Sequence, residues 1–474
     1  MGMGCSKESV GVFLLRKPRS ERISQMAARI KRAKSKRRKP TSRVKRTVLR
    51  NGLTVVTERL PGFKTLSIGI WVKAGTRHEH PKEAGISHFL EHMVFKGTEK
   101  RSAMQITREV ERVGGEFNAF TTREYTCFHI TLLARDLELG MEILQDILMG
   151  SLFDAEELER ERKVILQEIA MVDEAPEEVA QDIYYELLYG KHGLGRSILG
   201  SLNSVRRMKR ADLLRYFRKH YRPGNMVVSV AGDVSPARVA KSLGQLVKRN
   251  WPDRPKRPPP KRETGFSFAP KIRDGLWWIK RPTEQAHIVW GVEAPKYTSR
   301  DHPALILIAA YLGGGMSSKL FQEIREKQGL AYTIYSSLNA YLDAGNFHVY
   351  VGAPVSQAAT CLRIIEEAAL RLCAQKIDDE ELAEVKESMK GTMLLSSDSA
   401  ESVMQANAVD EIYFGASQSI EEVCQELEVV TAAEVRRVAK KVFGPGKRAI
   451  LVYGPKPSAT VRKKLNPTFP KRYK

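Results

Sequence analysis

The sequence contains little cysteine and no long apolar run, and both features exclude whole classes of protein. Its five cysteines are an odd number, scattered over 474 residues without paired spacing, which argues against a disulfide framework and favours a reducing compartment. No run of 18 apolar residues occurs, so no membrane span is expected. The Gly-x-Ser-x-Gly motif of serine hydrolases is absent, and no cysteine has the context of a catalytic thiol. The remaining possibility is a chain of ordinary apolar content that is long enough for two domains.

The most specific motif is the run HFLEH at residues 88–92. On a helix, His88 and His92 lie one turn apart on the same face, so their two imidazoles can bind one metal ion. Glu91 lies on the same side and can reach a water beside that metal. This H-x-x-E-H order is the reverse of the commoner H-E-x-x-H zinc motif. The pattern predicts a zinc site, and the alternative is a helix whose histidines merely face solvent.

A third protein ligand is expected because catalytic zinc usually has three protein ligands and one open position. The best candidate is Glu168, within a helix predicted over 154–172 with Asp154 as its N-cap. Glu161 lies seven residues earlier on the same helix face, so one of the two glutamates can bind the metal while the other orients a ligand. A charged, solvated helix face explains this spacing equally well.

Residues 85–98, GISHFLEHMVFKGT, resemble the zinc motif of the pitrilysin/insulinase family of metallopeptidases, the inverzincins. They are most similar to its short-chain branch, which contains bacterial processing-type peptidases and the catalytic subunit of mitochondrial processing peptidase. In that family the third ligand is a glutamate some 76 residues after the second histidine, and 168 − 92 = 76. The resemblance therefore implies one Zn²⁺ per chain, held by His88, His92 and Glu168, with Glu161 supporting the ligands.

The resemblance also implies a function, that of a zinc-dependent endopeptidase acting on unfolded polypeptides or short peptides. Glu91 would take a proton from the attacking water and pass it to the leaving amine. Four further residues match family positions that bind the substrate: Asn118 and Ala119 on an edge strand, and an arginine and tyrosine seven residues apart, Arg325 and Tyr332. The alternative is a catalytically silent scaffold or regulatory subunit of the same fold.

The chain is predicted to form two duplicated α+β domains, each a mostly antiparallel sheet covered by helices. Similar acidic helix starts at Asp154 and Asp378, 224 residues apart, are one of several echoes between the halves. The copy of Glu168 is then Thr392, and the copy of the histidine helix near 306–310 is apolar, so only the first half is expected to hold metal. The predicted boundaries are a disordered basic arm (1–46), the zinc-bearing domain (47–250), a Pro-rich linker (251–275), the metal-free domain with the Arg/Tyr pair (276–456) and a basic tail (457–474).

Local patterns place strands and helices in the first half. Period-two alternation, clearest in Ile68, Ile70 and Val72, indicates strands, and 3.6-residue periodicity indicates helices. The predicted strands are 53–57, 66–72, 117–121 and 126–133, and the predicted helices are 84–95, 103–113 and 135–149.

The net charge of +23 is concentrated near the N-terminus. Residues 16–50 contain 16 lysines and arginines and one acid, which accounts for +15. A solvated tail is the favoured interpretation, ahead of a mitochondrial transit peptide, an acylation signal at Gly2 and Cys5, and a start at Met26. Nucleic acid is not an expected partner because the arm has no interleaved aromatics. The family resemblance implies a homodimer, with a heterodimer as the alternative. The residues around the zinc motif are more similar to the bacterial branch, which favours the cytoplasm over the mitochondrial matrix.

Overall fold

The computed structural model describes residues 44–250, 272–461 and 463, which form two β-sheets with helices packed on them. The predicted α+β fold of two domains is confirmed. Among these residues, none of the helices has both the length and the apolar composition needed to cross a membrane. The strands are β1 (Val44–Val48), β2 (Thr54–Arg59), β3 (Thr65–Val72), β4 (Glu116–Thr121), β5 (Thr126–Leu133), β6 (Met226–Gly232), β7 (Gly275–Lys280), β8 (Ala286–Glu293), β9 (Thr333–Ala340), β10 (Gly345–Ala353) and β11 (Ala449–Gly454).

Helices follow the strands in a corresponding order in the two halves. In the first half they are α1 (Ile86–Met93), α2 (Ala103–Glu111), α3 (Leu137–Met149), α4 (Ala155–Asp173), α5 (Pro176–Tyr189), α6 (Leu202–Arg207), α7 (Arg210–His220) and α8 (Pro236–Asn250). In the second half they are α9 (His302–Gly313), α10 (Ala358–Ala374), α11 (Asp379–Ser396), α12 (Ala400–Tyr413), α13 (Ile420–Glu428) and α14 (Ala432–Phe443).

The two sheets have the same topology. The first has the order β1-β2-β6-β3-β5-β4 and the second β7-β11-β8-β10-β9, so the second repeats the last five strands of the first. Each sheet has one parallel pair in the same place, β2 with β6 and β7 with β11, and its other pairs are antiparallel. β4 and β9 are the corresponding edge strands. The sequence echoes therefore reflect two copies of one arrangement.

Each sheet is covered on one face by helices of its own half and on the other by a helix of the opposite half. α12 packs on β2, β3 and β6, where Met404 and Ala408 meet Trp71 and Val227. Reciprocally, α5 packs on β8 and β11, where Tyr184 lies in one cluster with Leu451. Side chains alternate between the two faces of a strand. Because helices cover both faces of these strands, the side chains on both faces are apolar. We call α5 and α12 the exchanged helices.

The predicted elements of the first half match the structure to within a few residues at each end. The predicted helix over 135–149 is shorter, because Ala134–Asp136 form a 3₁₀ turn and the α-helix begins at Leu137. The predicted arm extends too far, since Val44–Arg46 already belong to β1, where the Arg46 guanidinium pairs with Glu411 at 2.7 Å. The predicted linker also extends too far, because Gly275 begins β7. Residues 1–43, 251–271, 462 and 464–474 lie outside the described residues, and so do the predictions made for them.

Candidate metal centre

Helix α1 carries the two histidines, and its first turn is bound by a buried carboxylate. Gly85 precedes the helix with φ +90°, and a Cβ atom there would lie 2.5 Å from the carbonyl oxygen of Leu199, so glycine is required. The Glu79 carboxylate accepts hydrogen bonds from the backbone N–H groups of Gly85 at 2.8 Å and Ser87 at 2.9 Å. Burial raises the pKa of Glu79 to about 7. These contacts cap the helix that presents the histidines.

Helix α4 supplies the two glutamates. The Asp154 side chain accepts hydrogen bonds from two backbone N–H groups of the first turn, which confirms this residue as the N-cap. Glu161 is buried on the face that α4 turns to the core, whereas Glu168, two turns on, is only half-buried. The apolar residues buried on that face are Leu158, Ile165 and Ile169.

The structure brings His88, His92 and Glu168 together. Their potential ligand atoms all lie within 4.8 Å of one another. The Glu168 Oε2 atom is 3.7 Å from His88 Nε2 and 3.5 Å from His92 Nε2. In the part of the chain that the structure describes, this is the one group of three His, Cys, Asp or Glu residues that meets such a distance criterion.

Glu161 lies behind this cluster and fixes the orientation of one imidazole. His92 Nδ1 is 3.0 Å from Glu161 Oε2, and Lys96 Nζ is 2.6 Å from Glu161 Oε1. Burial acts to raise the pKa of Glu161, but the hydrogen bonds from His92 and Lys96 outweigh it and lower the pKa. An ionised carboxylate only accepts, so Nδ1 must be the donor. Burial acts to lower the pKa of His92, but the hydrogen bond to Glu161 and the charges of Glu168 and Glu91 outweigh it and raise the pKa. Once Nε2 has lost its proton, its lone pair is free to bind a metal at the cluster.

The electrostatics of the cluster fit a zinc ion. Burial, followed by the charge of His92, lowers the pKa of His88 to about 3, so its imidazole remains neutral and able to coordinate. The Oε2 atom of Glu168 is buried and has no hydrogen-bond partner among the described residues. Such an atom is costly to bury unless a cation is bound to it. Two imidazole nitrogens and one carboxylate oxygen are a donor set that zinc prefers, with the fourth position open.

Glu91 lies beside the cluster and is bound from the neighbouring sheet. Thr121, at the end of β4, donates a hydrogen bond from Oγ1 to Glu91 Oε2 at 2.6 Å. Burial raises the pKa of Glu91, while this hydrogen bond and the charge of His92 oppose the rise. A raised pKa suits a group that must both accept and return a proton.

Asn118 and Ala119 lie on β4, the edge strand of the first sheet, as the sequence predicted. The backbone N–H of Ala119 donates to the side-chain Oδ1 of Asn118 at 2.8 Å, so it points away from β5. An extended peptide can pair with such a free edge through main-chain hydrogen bonds. Phe117 of the same strand stacks on Phe95, which follows α1, with ring centroids 5.2 Å apart.

Arg325 and Tyr332 lie in the second half and contact each other. The Arg325 guanidinium donates from Nη1 to the backbone oxygen of Tyr332 at 2.8 Å and lies over the Tyr332 ring, 4.7 Å from its centroid. The Tyr332 side chain is 72% exposed. In the described chain, no hydrogen bond, ion pair or ring contact joins either residue to the cluster around His88.

Three residues of this site escaped the sequence analysis: Glu79, Lys96 and Thr121. Lys96 had a local signal, because it lies four residues after His92 and close to the end of the same helix. Glu79 and Thr121 had none, since their contacts with α1 depend on how loops and strands pack around that helix.

Comparison with known sequences identifies the family. The sequence model described as "Insulinase (Peptidase family M16)" matches residues 54–202, and "Peptidase M16 inactive domain" matches residues 207–389. An uncharacterized zinc protease of Streptomyces coelicolor is 35% identical over 87% of this chain and 90% of its own length. The chain belongs to the insulinase family of peptidases, family M16. Another relative in that family, the uncharacterized zinc protease YmxG of Bacillus subtilis, is 35% identical over 84% of this chain and 96% of its own length.

Solved structures support the same fold for this M16 chain. A protease from Helicobacter pylori superposes with a TM-score of 0.80 at 23% identity, covering 87% of this chain and 99% of the other. A Pseudomonas fluorescens protein described as a peptidase M16 inactive domain superposes with a TM-score of 0.78 at 19% identity. The relatives' names support a protease function that uses zinc, and the family resemblance inferred from residues 85–98 is confirmed.

Proposed function

We propose that this M16 chain is a zinc-dependent endopeptidase that hydrolyses peptide bonds in unfolded polypeptides or short peptides. The observation that carries the proposal is the buried Oε2 atom of Glu168, which has no hydrogen-bond partner among the described residues and lies 3.7 Å from His88 Nε2 and 3.5 Å from His92 Nε2. His88, His92 and Glu168 would hold one zinc ion, and Glu161 would orient His92.

The chemistry divides between the metal and one carboxylate. A zinc ion at this site supplies a Lewis acid for the scissile carbonyl and for the attacking water. Glu91 accepts the proton of that water and then donates it to the leaving amine, without a covalent intermediate.

The edge strand β4 would align the substrate. A peptide that adds to this edge is held by backbone contacts at Asn118 and Ala119, and such contacts do not depend on its side chains. The mode of binding requires an extended segment, so unfolded polypeptides and short peptides are favoured over folded proteins.

Arg325 and Tyr332 would complete the site from a second chain. Both are hydrogen-bond donors suited to a substrate backbone or to the oxyanion that develops during hydrolysis. Neither contacts the His88 cluster of its own chain, which favours a dimer in which each second half faces the other chain's first half. We propose a homodimer, with a heterodimer as the alternative. The bacterial relatives favour the cytoplasm over the mitochondrial matrix.

The first test is cleavage of a quenched, unstructured peptide by the wild type and by Glu91→Gln, with zinc content determined for both. We expect one zinc per chain in each protein, and a loss of at least ~100-fold in kcat for the variant, since general acid–base catalysis contributes roughly 10²–10⁴-fold. Glu91→Gln keeps the size of the side chain and the acceptor for Thr121, so it isolates the proton transfer.

Two outcomes would contradict the proposal. A wild type that binds no zinc would favour the silent scaffold or regulatory subunit. A Glu91→Gln variant that cleaves at the wild-type rate would remove Glu91 from the mechanism even if zinc is present.

A further inference from the structure

The hydroxyl of Thr121 holds the carboxylate of Glu91 in place, and this contact leads beyond the proposed function. Thr121 is the last residue of β4 and is 9% exposed, and its Oγ1 lies 2.6 Å from Glu91 Oε2. We propose that Thr121 is a positioning residue for the proposed base, an inference that rests on the proposed endopeptidase function. A hydroxyl–carboxylate bond of this length is charge-assisted and stronger than one between neutral groups.

The neighbouring hydroxyl explains why the Thr121 proton points at Glu91. Thr126 pairs with Thr121 across β4 and β5, and its Oγ1 donates to the backbone oxygen of Ala74 at 3.0 Å. The two threonine hydroxyl oxygens are 3.4 Å apart, a much longer contact than the one to Glu91. Thr121 has a single proton, and the closer, charged acceptor takes it.

The contact leaves one carboxylate oxygen for the reaction. Within the described chain, Thr121 is the hydrogen-bond donor recorded for Glu91, and it binds Oε2. We assign the proton transfer to Oε1, the oxygen that Thr121 does not bind. Held at one oxygen, the carboxylate cannot turn its two oxygens freely.

The position of Thr121 also relates the base to the substrate. Asn118 and Ala119, the proposed substrate contacts, precede Thr121 on the same strand. One rigid element then sets both the register of the peptide and the orientation of Glu91. Because a displacement of about 1 Å at a reacting group can lower a rate roughly 100-fold, this common origin matters for kcat more than for binding.

The test compares Thr121→Val, Thr121→Ser and a control, Thr131→Val. Valine has the shape of threonine without the hydroxyl, and serine keeps the hydroxyl. Thr131 lies on β5, where its hydroxyl bonds Ser67 Oγ at 2.8 Å, so the control removes a similar hydroxyl from the same sheet. For each protein we would measure kcat, KM and zinc content, and the dissociation constant of an uncleavable peptide for the metal-free form.

We expect Thr121→Val to lower kcat by about 10–100-fold and to change KM by less than about threefold, since the lost interaction orients the base rather than the substrate. Thr121→Ser should restore most of kcat, and Thr131→Val should keep the wild-type kcat. Zinc content and peptide affinity should equal those of the wild type in all three variants.

Other results would overturn the inference. If Thr121→Val retains the wild-type kcat, or loses its zinc, Thr121 does not act by positioning Glu91. If the serine variant is no better than the valine variant, the hydroxyl is not responsible. A wild type that cleaves no peptide would instead overturn the proposed function and with it this inference, so the two failures are distinguishable.

Discussion

The two halves of this M16 peptidase place the same three elements around one region, but among the described residues only the first half brings three metal-binding side chains together there. In the first half, α1, α4 and the edge strand β4 surround His88, His92 and Glu168. In the second, α9, α11 and the edge strand β9 surround a cavity of about 440 Å³ whose lining includes Ile306, Ala310 and Met389. Both copies fold with high apolar burial, so the fold does not depend on the site. Fold and chemistry are separable, and the site consists of a few side chains added to a stable frame.

The difference between the halves is tested most directly by replacing Glu168, the proposed third ligand, and in parallel Thr392, its counterpart in the second half. Glu168→Ala should abolish zinc binding and lower kcat by roughly 10³-fold or more, since two imidazoles alone do not fix the metal or the reacting water. Thr392→Ala should change neither, because Thr392 is exposed on α11 and its hydroxyl only bonds the Ser388 backbone oxygen at 3.0 Å. Zinc analysis and peptide cleavage would check both. Equal losses in the two variants would contradict the assignment of metal to the first half.

The interface between the halves contains a buried ionic group, which offers the next comparison. Arg77 is 4% exposed and lies 2.5 Å from Glu124 of its own half and 2.5 Å from Asp343 of the other. Removing one partner of a buried pair leaves an uncompensated charge, so Arg77→Met should lower the free energy of unfolding by about 3–5 kcal/mol.

Urea denaturation would measure this change, with Arg59→Met as the matched control. Arg59 pairs with Asp233 at 2.9 Å on the surface, where the two side chains are 58% and 32% exposed, and solvent screens such pairs so that they contribute little to stability. If both variants lost the same small amount, the Arg77 network would not hold the halves together.

The exchanged helices α5 and α12 end in corresponding tyrosines, Tyr189 and Tyr413. Each hydroxyl contacts the opposite half, so replacing them one at a time tests the packing of each helix separately. The Tyr413 hydroxyl donates to the buried carboxylate of Glu124 at 2.7 Å, whereas the Tyr189 hydroxyl accepts from the Asn346 amide at 3.0 Å. Tyr413→Phe should cost about 1.5–3 kcal/mol because its partner is charged, and Tyr189→Phe about 0.5–1.5 kcal/mol. Urea unfolding of the two variants would rank them, and the reverse order would show that Glu124 is not ionised.

Replacing Asp410 on α12 should have a small effect on protein stability, and the size of that effect should depend on pH. Burial raises its pKa to about 6, so the stability it contributes is present at low pH and is lost as pH rises through 6. Asp410→Asn should leave stability unchanged near pH 4 and raise it above pH 7, on the order of 1–2 kcal/mol for this partly exposed group. Denaturation between pH 4 and 8 would measure the change.

Asp233→Asn serves as the control of opposite sign. The hydrogen bond from Arg59 lowers the pKa of Asp233, so its contribution is present at neutral pH and is lost as pH falls. This variant should therefore lose stability at neutral pH, where Asp410→Asn gains it. A gain in both variants would contradict the assignment of the pH dependence to the burial of Asp410.

Sequence reasoning recovered what local patterns determine. The helix from Ala155 to Asp173, its N-cap Asp154 and the strands of the first half follow from periodicity and capping, which need no knowledge of the rest of the molecule. The ligand set came from a family resemblance, because spacing alone left a solvated helix face open for Glu168. The duplication of the α+β domain was predicted from echoes such as those at Asp154 and Asp378, but the order of the strands in the two sheets was not.

The remainder depended on tertiary packing. The apolar pattern of α5 and α12 predicts that these helices are buried but does not specify which sheet covers them, so the exchange was not foreseen. Likewise, nothing near Thr121 in the sequence indicates a partner 30 residues away on another element. The sequence pattern of a strand predicts only which face each side chain points to. The neighbour that a side chain meets on that face is set by the tertiary fold.

The exchanged helices have a consequence for how the polypeptide becomes a stable molecule. A first half alone would leave Trp71 and Val227 without the cover of Met404, and a second half alone would leave Leu451 without Tyr184. Each half is thus an incomplete folding unit whose missing piece is encoded in the other. A chain cut between Asn250 and Ile272 should yield two fragments that are insoluble or partly folded when expressed separately, yet reassemble into one particle when they are refolded together.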